Sequence, residues 1–200
     1  TAWGYDATGI GGGDFGAGKN IQIKDNADVH AYGSTGGAGI GGGANCGGEV
    51  SISGNATVFA KGGDSAAGIG SGRYGGSPVY SDRIDTTVTI SDNANVTAIG
   101  DTGSAAIGNG YKYNNIGKTD ITITGGRVNA TGGWGSAGIG GGNYGRGNYG
   151  SGKNITIKGG TVTAKGGDCG AGIGGGNGGI GENIKITDGT VNATGGWGGA

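Results

Sequence analysis

Two carboxylates, Glu49 and Asp120, stand at one place in a recurring pattern, each directly ahead of an alternating apolar stretch, Val50-Ser51-Ile52 and Ile121-Thr122-Ile123. Paired acids are the machinery of glycoside hydrolysis, one donating a proton and the other accepting one or attacking. If the pattern stacks at about 4.8 Å per layer, these two lie two layers apart, roughly 9–10 Å. Inverting glycosidases hold their carboxyls about 6.5–9.5 Å apart. The residues around them suggest no dedicated cleft, so solvated edge carboxylates are the first reading. A polysaccharide lyase or hydrolase is kept as an alternative.

Asp64, Asp101 and Asp168 recur in glycine-rich bends, where acid oxygens and free carbonyls suit calcium. One acid per repeat is sparse, and calcium is the one cofactor the sequence suggests. His30 is the only histidine, too little for a zinc site or a serine–histidine–acid triad. Gly13 to Asn20 and Gly147 to Asn154 both read G-x-x-x-x-G-K-N. A phosphate loop needs Ser or Thr after the lysine and then a helix; here Asn and an apolar-alternating stretch follow.

The aromatic residues carry more. Trp3, Trp134 and Trp197 are read as lying in the bend before a recurring Ala-Gly-Ile-Gly-Gly-Gly segment. Tyr74, Tyr111, Tyr113, Tyr144 and Tyr149 lie in the loops after it. Between these groups the outward positions are Gly9, Gly39, Gly68, Ala106, Gly138 and Gly172, which predicts a flat, backbone-exposed strip. Rings edging such a strip suit stacking against sugars. Alternatively, they fold over the glycines and merely cover them.

What positions these residues is a repeat. The glycine-rich segment returns six times, centred on Ile10, Ile40, Ile69, Ile107, Ile139 and Ile173. Self-similarity at 29–38 residues marks a stack of units and not one globular core. Each unit holds three period-two stretches, the mark of half-buried strands. In the fifth, Ile155 and Ile157 share a face, then Val162 and Ala164, then Ala171 and Ile173. Asp, Asn and Gly pairs such as Asp25-Asn26, Asp92-Asn93 and Gly159-Gly160 separate the first two stretches, as tight corners demand. The expected fold is an all-β parallel β-helix over residues 1–200, with about six coils of three short strands. Its hand is right by the usual chirality of parallel crossovers. Cys46 and Cys169, four layers apart, are then roughly 19 Å from each other, beyond disulfide reach, and are expected as free thiols.

Glycine supplies 59 of 200 residues and proline one, which excludes collagen. A net charge of −1 gives no electrostatic reason to bind nucleic acid or an anionic membrane. No apolar run is long enough to span a bilayer.

The units ITIKGGTVTAKGGDCGAGIGGG and VTISDNANVTAIGD resemble the glycine-rich parallel β-helix repeats of large surface proteins from Gram-positive gut bacteria, some of whose relatives are described as carbohydrate-binding. The resemblance implies a secreted or cell-surface protein and transfers no functional residue. The expectation is a non-enzymatic carbohydrate-binding or adhesion module. The alternative is a structural stalk, or a fibre subunit that associates end to end; no capping helix is visible at either end, which fits either a part of a longer solenoid or a stacking unit.

Overall fold

The computed structural model describes residues 7–74, 85–111, 118–143 and 150–198, together with the backbone of Ala2 and Trp3. The described residues contain only strands, turns and bends. In chain order, β1 (Ala2–Trp3) precedes a first rung of β2 (Ile10–Gly11), β3 (Gly18–Ile23) and β4 (Asp28–Tyr32). The second rung is β5 (Ile40–Gly41), β6 (Gly48–Ile52) and β7 (Thr57–Lys61); the third is β8 (Ile69–Gly70), β9 (Thr86–Ile90) and β10 (Asn95–Ile99). β11 (Ile107–Gly108), β12 (Thr119–Ile123) and β13 (Arg127–Thr131) form the fourth. In the fifth and sixth the two longer strands run together, giving β14 (Ile139–Gly140) with β15 (Gly152–Lys165), then β16 (Ile173–Gly174) with β17 (Gly181–Thr194).

Each strand pairs in parallel with its counterpart one rung away. The short strands make one six-stranded sheet, β16-β14-β11-β8-β5-β2. The longer strands make two faces joined through β15 and β17. Register is set by identity. Ile52 faces Ile90, Ile90 faces Ile123 and Ile123 faces Ile157. Val58, Val96, Val128 and Val162 form a second column, and Ile40, Ile69, Ile107 and Ile139 a third. A one-residue slip would turn every one of these side chains to solvent, so the alternation fixes the pairing. All three columns belong to one buried cluster inside the tube. The expected parallel β-helix, its three strands per coil and its inward columns are therefore present. Cys46 and Cys169 form no disulfide, as expected.

The core gives a direct prediction. Ile123 is fully buried between like neighbours above and below, so Ile123→Ala is expected to cost about 2–5 kcal/mol. Thr122 lies beside it on the outward side of the same strand and is only partly buried. Its alanine variant should change stability by less than about 1 kcal/mol. Urea denaturation of the two variants measures the difference.

Corners between the longer strands use positive φ at Asp25, Gly54, Asp92, Gly126, Gly160 and Gly189, within the expected turn pairs. An asparagine ladder runs up this edge: Asn93 Nδ2 donates to Asn55 Oδ1 at 3.2 Å, and Asn55 Nδ2 to Asn26 Oδ1 at 3.1 Å.

The glycine strip differs from expectation. Gly39, Gly68 and Gly138 are buried. A Cβ on Gly39 would lie 2.8 Å from the Lys61 backbone, and one on Gly138 2.8 Å from that of Lys165. The outward side of each short strand is thus pressed against the backbone end of a longer strand, and no flat exposed strip exists at these positions. Glycine stands there because two backbones meet.

Candidate functional site

The bends leading into β5, β8, β11, β14 and β16 are four-residue turns closed by a backbone hydrogen bond. Examples are Ala66 N–H to Gly63 O at 2.9 Å, Ser104 to Asp101 at 2.8 Å, Ser136 to Gly133 at 3.1 Å and Gly170 to Gly167 at 2.8 Å. The third residue has positive φ in each: Ser65, Gly103, Gly135 and Cys169, with Gly198 in the last bend. That is the type II geometry. The second residue of these turns is Asp64, Thr102, Trp134, Asp168 and, in the last bend, Trp197. Hydrogen bonds between rungs keep the turns in line: Gly103 N–H to Trp134 O at 3.0 Å, Gly135 to Asp168 O at 2.9 Å and Cys169 to Trp197 O at 2.8 Å.

Trp134, Asp168 and Trp197 therefore occupy one column on consecutive rungs. The two tryptophans stand two rungs apart, about 10 Å at strand spacing. They are 55% and 87% exposed, unusual for rings of this size. Between them runs an open groove of about 500 Å³, with Thr131, Lys165 and Asp168 along it. Its floor is the backbone of Gly132, Gly166, Gly167, Gly195 and Gly196. Gly132, Gly166, Gly167 and Gly196 have no side chain for the same reason as Gly39; a Cβ on Gly167, for instance, would collide with Gly133 O.

The same corner repeats the arrangement at the other end of the rod. A depression of about 320 Å³ is lined by Tyr32, Lys61, Asp64 and Asp101 over Gly33, Gly62 and Gly63. Beside it, Phe59 stacks with His30 at 5.9 Å and leans against Tyr32 at 5.6 Å. This aromatic group was not among the residues singled out from the sequence. Two signals point to it: aromatic residues at successive outward positions of β4 and β7, and the segment Lys-Gly-Gly-Asp at both 61–64 and 165–168.

The other sequence candidates divide. Trp3 does not share the bend of Trp134 and Trp197: it pairs with Tyr32 as part of β1, three positions earlier in the repeat. Ile10 follows Trp3 by seven residues, whereas Ile139 follows Trp134 by five, so the spacing to the short strand also differs. Tyr74 is 1% exposed, because its backbone N–H reaches Tyr111 O at 2.7 Å and carries it into the stack. It offers no ring to a ligand. Tyr111 is half-buried with its ring over Gly103, covering backbone there. Tyr113, Tyr144 and Tyr149 lie outside the described residues.

Asp64 and Asp168 share a column but are three rungs apart, roughly 14 Å. Asp101 sits one position earlier in its turn, where its Oδ1 accepts the Thr102 N–H at 2.6 Å. Among the described residues no three His, Cys, Asp or Glu converge on a point that could hold a metal ion. Glu49 and Asp120 face Thr87 from opposite sides, which places them two rungs apart, and both are exposed. The depression beside Glu49 is lined by Lys19, Asp85 and Thr87 and does not include Asp120.

No curated protein and no solved structure matches the chain. A family model described as a beta helix repeat matches residues 21–44, 50–73, 88–111, 121–143, 155–177 and 184–200. These six segments cover most of the sequence and follow the rungs seen in the structure, and the chain belongs to this beta helix repeat family.

Proposed function

We propose that the protein is a non-enzymatic glycan-binding module, exported to the cell surface or secreted, which lays an extended polysaccharide along the groove from Trp134 across Asp168 to Trp197. The observation that carries this reading is the pair of exposed indoles two rungs apart over a backbone floor. A pyranose in an extended β-linked chain advances by about 5 Å, close to the strand spacing of about 4.8 Å. Alternate sugars then meet Trp134 and Trp197, and the sugar between them lies over Asp168. Indole rings take the apolar faces of sugars. The Asp168 carboxylate accepts hydroxyl protons and the Lys165 ammonium donates to ring or hydroxyl oxygens. Rings held on rigid turns lose little freedom on binding, which favours affinity.

Calorimetric titration with cello-, xylo-, manno- and chito-oligosaccharides of one to six units tests this. Affinity for at least one series should rise sharply up to three units and then level off. Binding to none of them, or equal affinity for a monosaccharide, removes the reading. EDTA should leave the affinity unchanged, because Asp64, Asp101 and Asp168 do not converge; a loss of more than about tenfold on chelation would restore calcium to the site.

A structural role as a rigid spacer is the second reading. It is favoured by a different observation, the columns of like isoleucines stacked rung on rung through one continuous core.

A further inference from the structure

The depression at Tyr32, Lys61, Asp64 and Asp101 is built from the same element as the Trp134–Trp197 groove, but it is charged differently. Lys-Gly-Gly-Asp occurs at 61–64 and at 165–168, and in both places its lysine and aspartate line an open hollow over glycine backbone. In rung five, Lys165 and Asp168 are the charged pair along the groove, and they cancel. In rung two, Lys61 and Asp64 cancel in the same way, but Asp101 joins them from rung three. Glycine stands at the place of Asp101 in the turns of rungs two, four and five, as Gly63, Gly133 and Gly167. One carboxylate is therefore in excess. Arg73 packs beside Gly36 and does not line the depression.

The polar groups are held in place and unengaged. Asp101 Oδ1 accepts the Thr102 N–H at 2.6 Å and the Ser65 N–H at 3.5 Å, which fixes the carboxylate on its turn. Among the described residues neither Lys61 nor Asp64 forms an ion pair. Nor does any described donor reach the carbonyl of Gly62, which is part of the floor. Acceptors thus outnumber donors. On one side stands Tyr32, half-buried, with Phe59 leaning on it at 5.6 Å, so the depression ends against an apolar plane. A matching ligand needs an apolar face for the ring, donors for the acceptors and one positive charge. A hexosamine with its amine free meets all three. A lysine side chain meets the last two, but its slender stem leaves the ring plane and the glycine floor uncovered.

We propose that this depression is a second binding site, separate from the Trp134–Trp197 groove, and that it takes a sugar carrying a protonated amine. The ammonium is held by the Asp101 and Asp64 carboxylates, and the apolar face of the sugar lies on Tyr32. Lys61 donates to hydroxyl oxygens and opposes the charge of the ligand. Acetylation of the amine removes the charge and with it the preference. The choice of a sugar rests on the glycan reading above; the choice of charge does not.

The test is calorimetric titration at neutral pH of the full chain carrying Trp134→Ala and Trp197→Ala, which takes the groove out of play. The probes are the chito-oligosaccharide of three units, fully deacetylated or fully acetylated, and a trilysine peptide. The deacetylated sugar should bind at least about tenfold more tightly than the acetylated one and than trilysine. Asp101→Asn keeps the acceptor its turn needs and should weaken the deacetylated sugar about tenfold. Lys61→Gln should strengthen it about two- to fivefold by removing a like charge. No binding of the deacetylated sugar up to about 10 mM, equal affinity for its acetylated form, or indifference to Asp101→Asn overturns the site. Equal affinity for trilysine overturns the sugar assignment. Each of these failures leaves the groove untouched, because the tryptophans are absent; conversely, neutral sugars that fail to bind the unaltered chain remove the groove and not this site.

Discussion

Gly70→Ala is expected to destabilise the protein by about 2–6 kcal/mol, the sum of two penalties on one methyl group. Gly70 has φ +137°, a region L residues rarely adopt, and its Cβ would collide with Gly108 O. Such backbone strain costs about 1–3 kcal/mol. Forcing an added carbon into close-packed surroundings costs about another 1–3 kcal/mol. The site cannot relax locally, because Gly41 and Gly108 stand in the same column with φ +135° and +130° and face Gly70 and Gly140 in turn. Moving one rung aside displaces the next. A loss of this size is a large part of a typical folding free energy of about 5–15 kcal/mol. Gly13→Ala is the control, since Gly13 has open space around its would-be Cβ and no positive φ. It should change stability by less than about 0.5 kcal/mol. Urea midpoints for the two variants provide the comparison, and equal midpoints would mean that the rungs are not stacked backbone to backbone here.

The second large effect is on binding. Trp134→Ala with Trp197→Ala should weaken affinity for the preferred oligosaccharide by about 100-fold or more, and each alone by about tenfold, near 1.4 kcal/mol per ring. Both rings are mostly in solvent, so the fold should hold within about 0.5 kcal/mol. Phenylalanine at either position should recover part of the loss, because it keeps an apolar plane on the same turn. Asp168→Asn tests the polar contact between the rings and should alter which sugar series is preferred more than it alters the loss on truncating a ring. Unchanged affinity in the double alanine variant would move the ligand elsewhere, with the Phe59, His30 and Tyr32 group the next place to probe.

Most of the fold is legible because the repeat compares the sequence with itself. The alternation at Ile121-Thr122-Ile123 alone says only that a strand has two faces. Its recurrence at Val88, Ile155 and Ile184 says what lies above and below. The short strand is less legible. Its two residues define an inward isoleucine, but nothing in the alternation shows that the ends of β7 and β10 come back against Gly39 and Gly68. The outward glycines read as an open strip when they mark a backbone contact.

The candidate site is half legible for a related reason. Trp134 and Trp197 can be placed in the right bend, since Trp-Gly precedes a glycine-rich run in both. The same Trp-Gly at Trp3 is a false match, three positions out of phase. Asp101 is displaced by one position in its turn, which converts a candidate ligand into an acceptor for the turn's own amide. Phase errors of this kind are harmless to a column of isoleucines read over every rung. They decide the matter for a site built from single side chains.

The most direct test of the groove is the pair of indole N–H resonances of Trp134 and Trp197, assigned by substitution and followed by NMR during titration with the best-bound oligosaccharide. The account predicts that both shift along one saturation curve with a shared Kd once the ligand spans three sugars, while a single sugar moves them only weakly. Saturable binding that leaves both resonances where they began would contradict it.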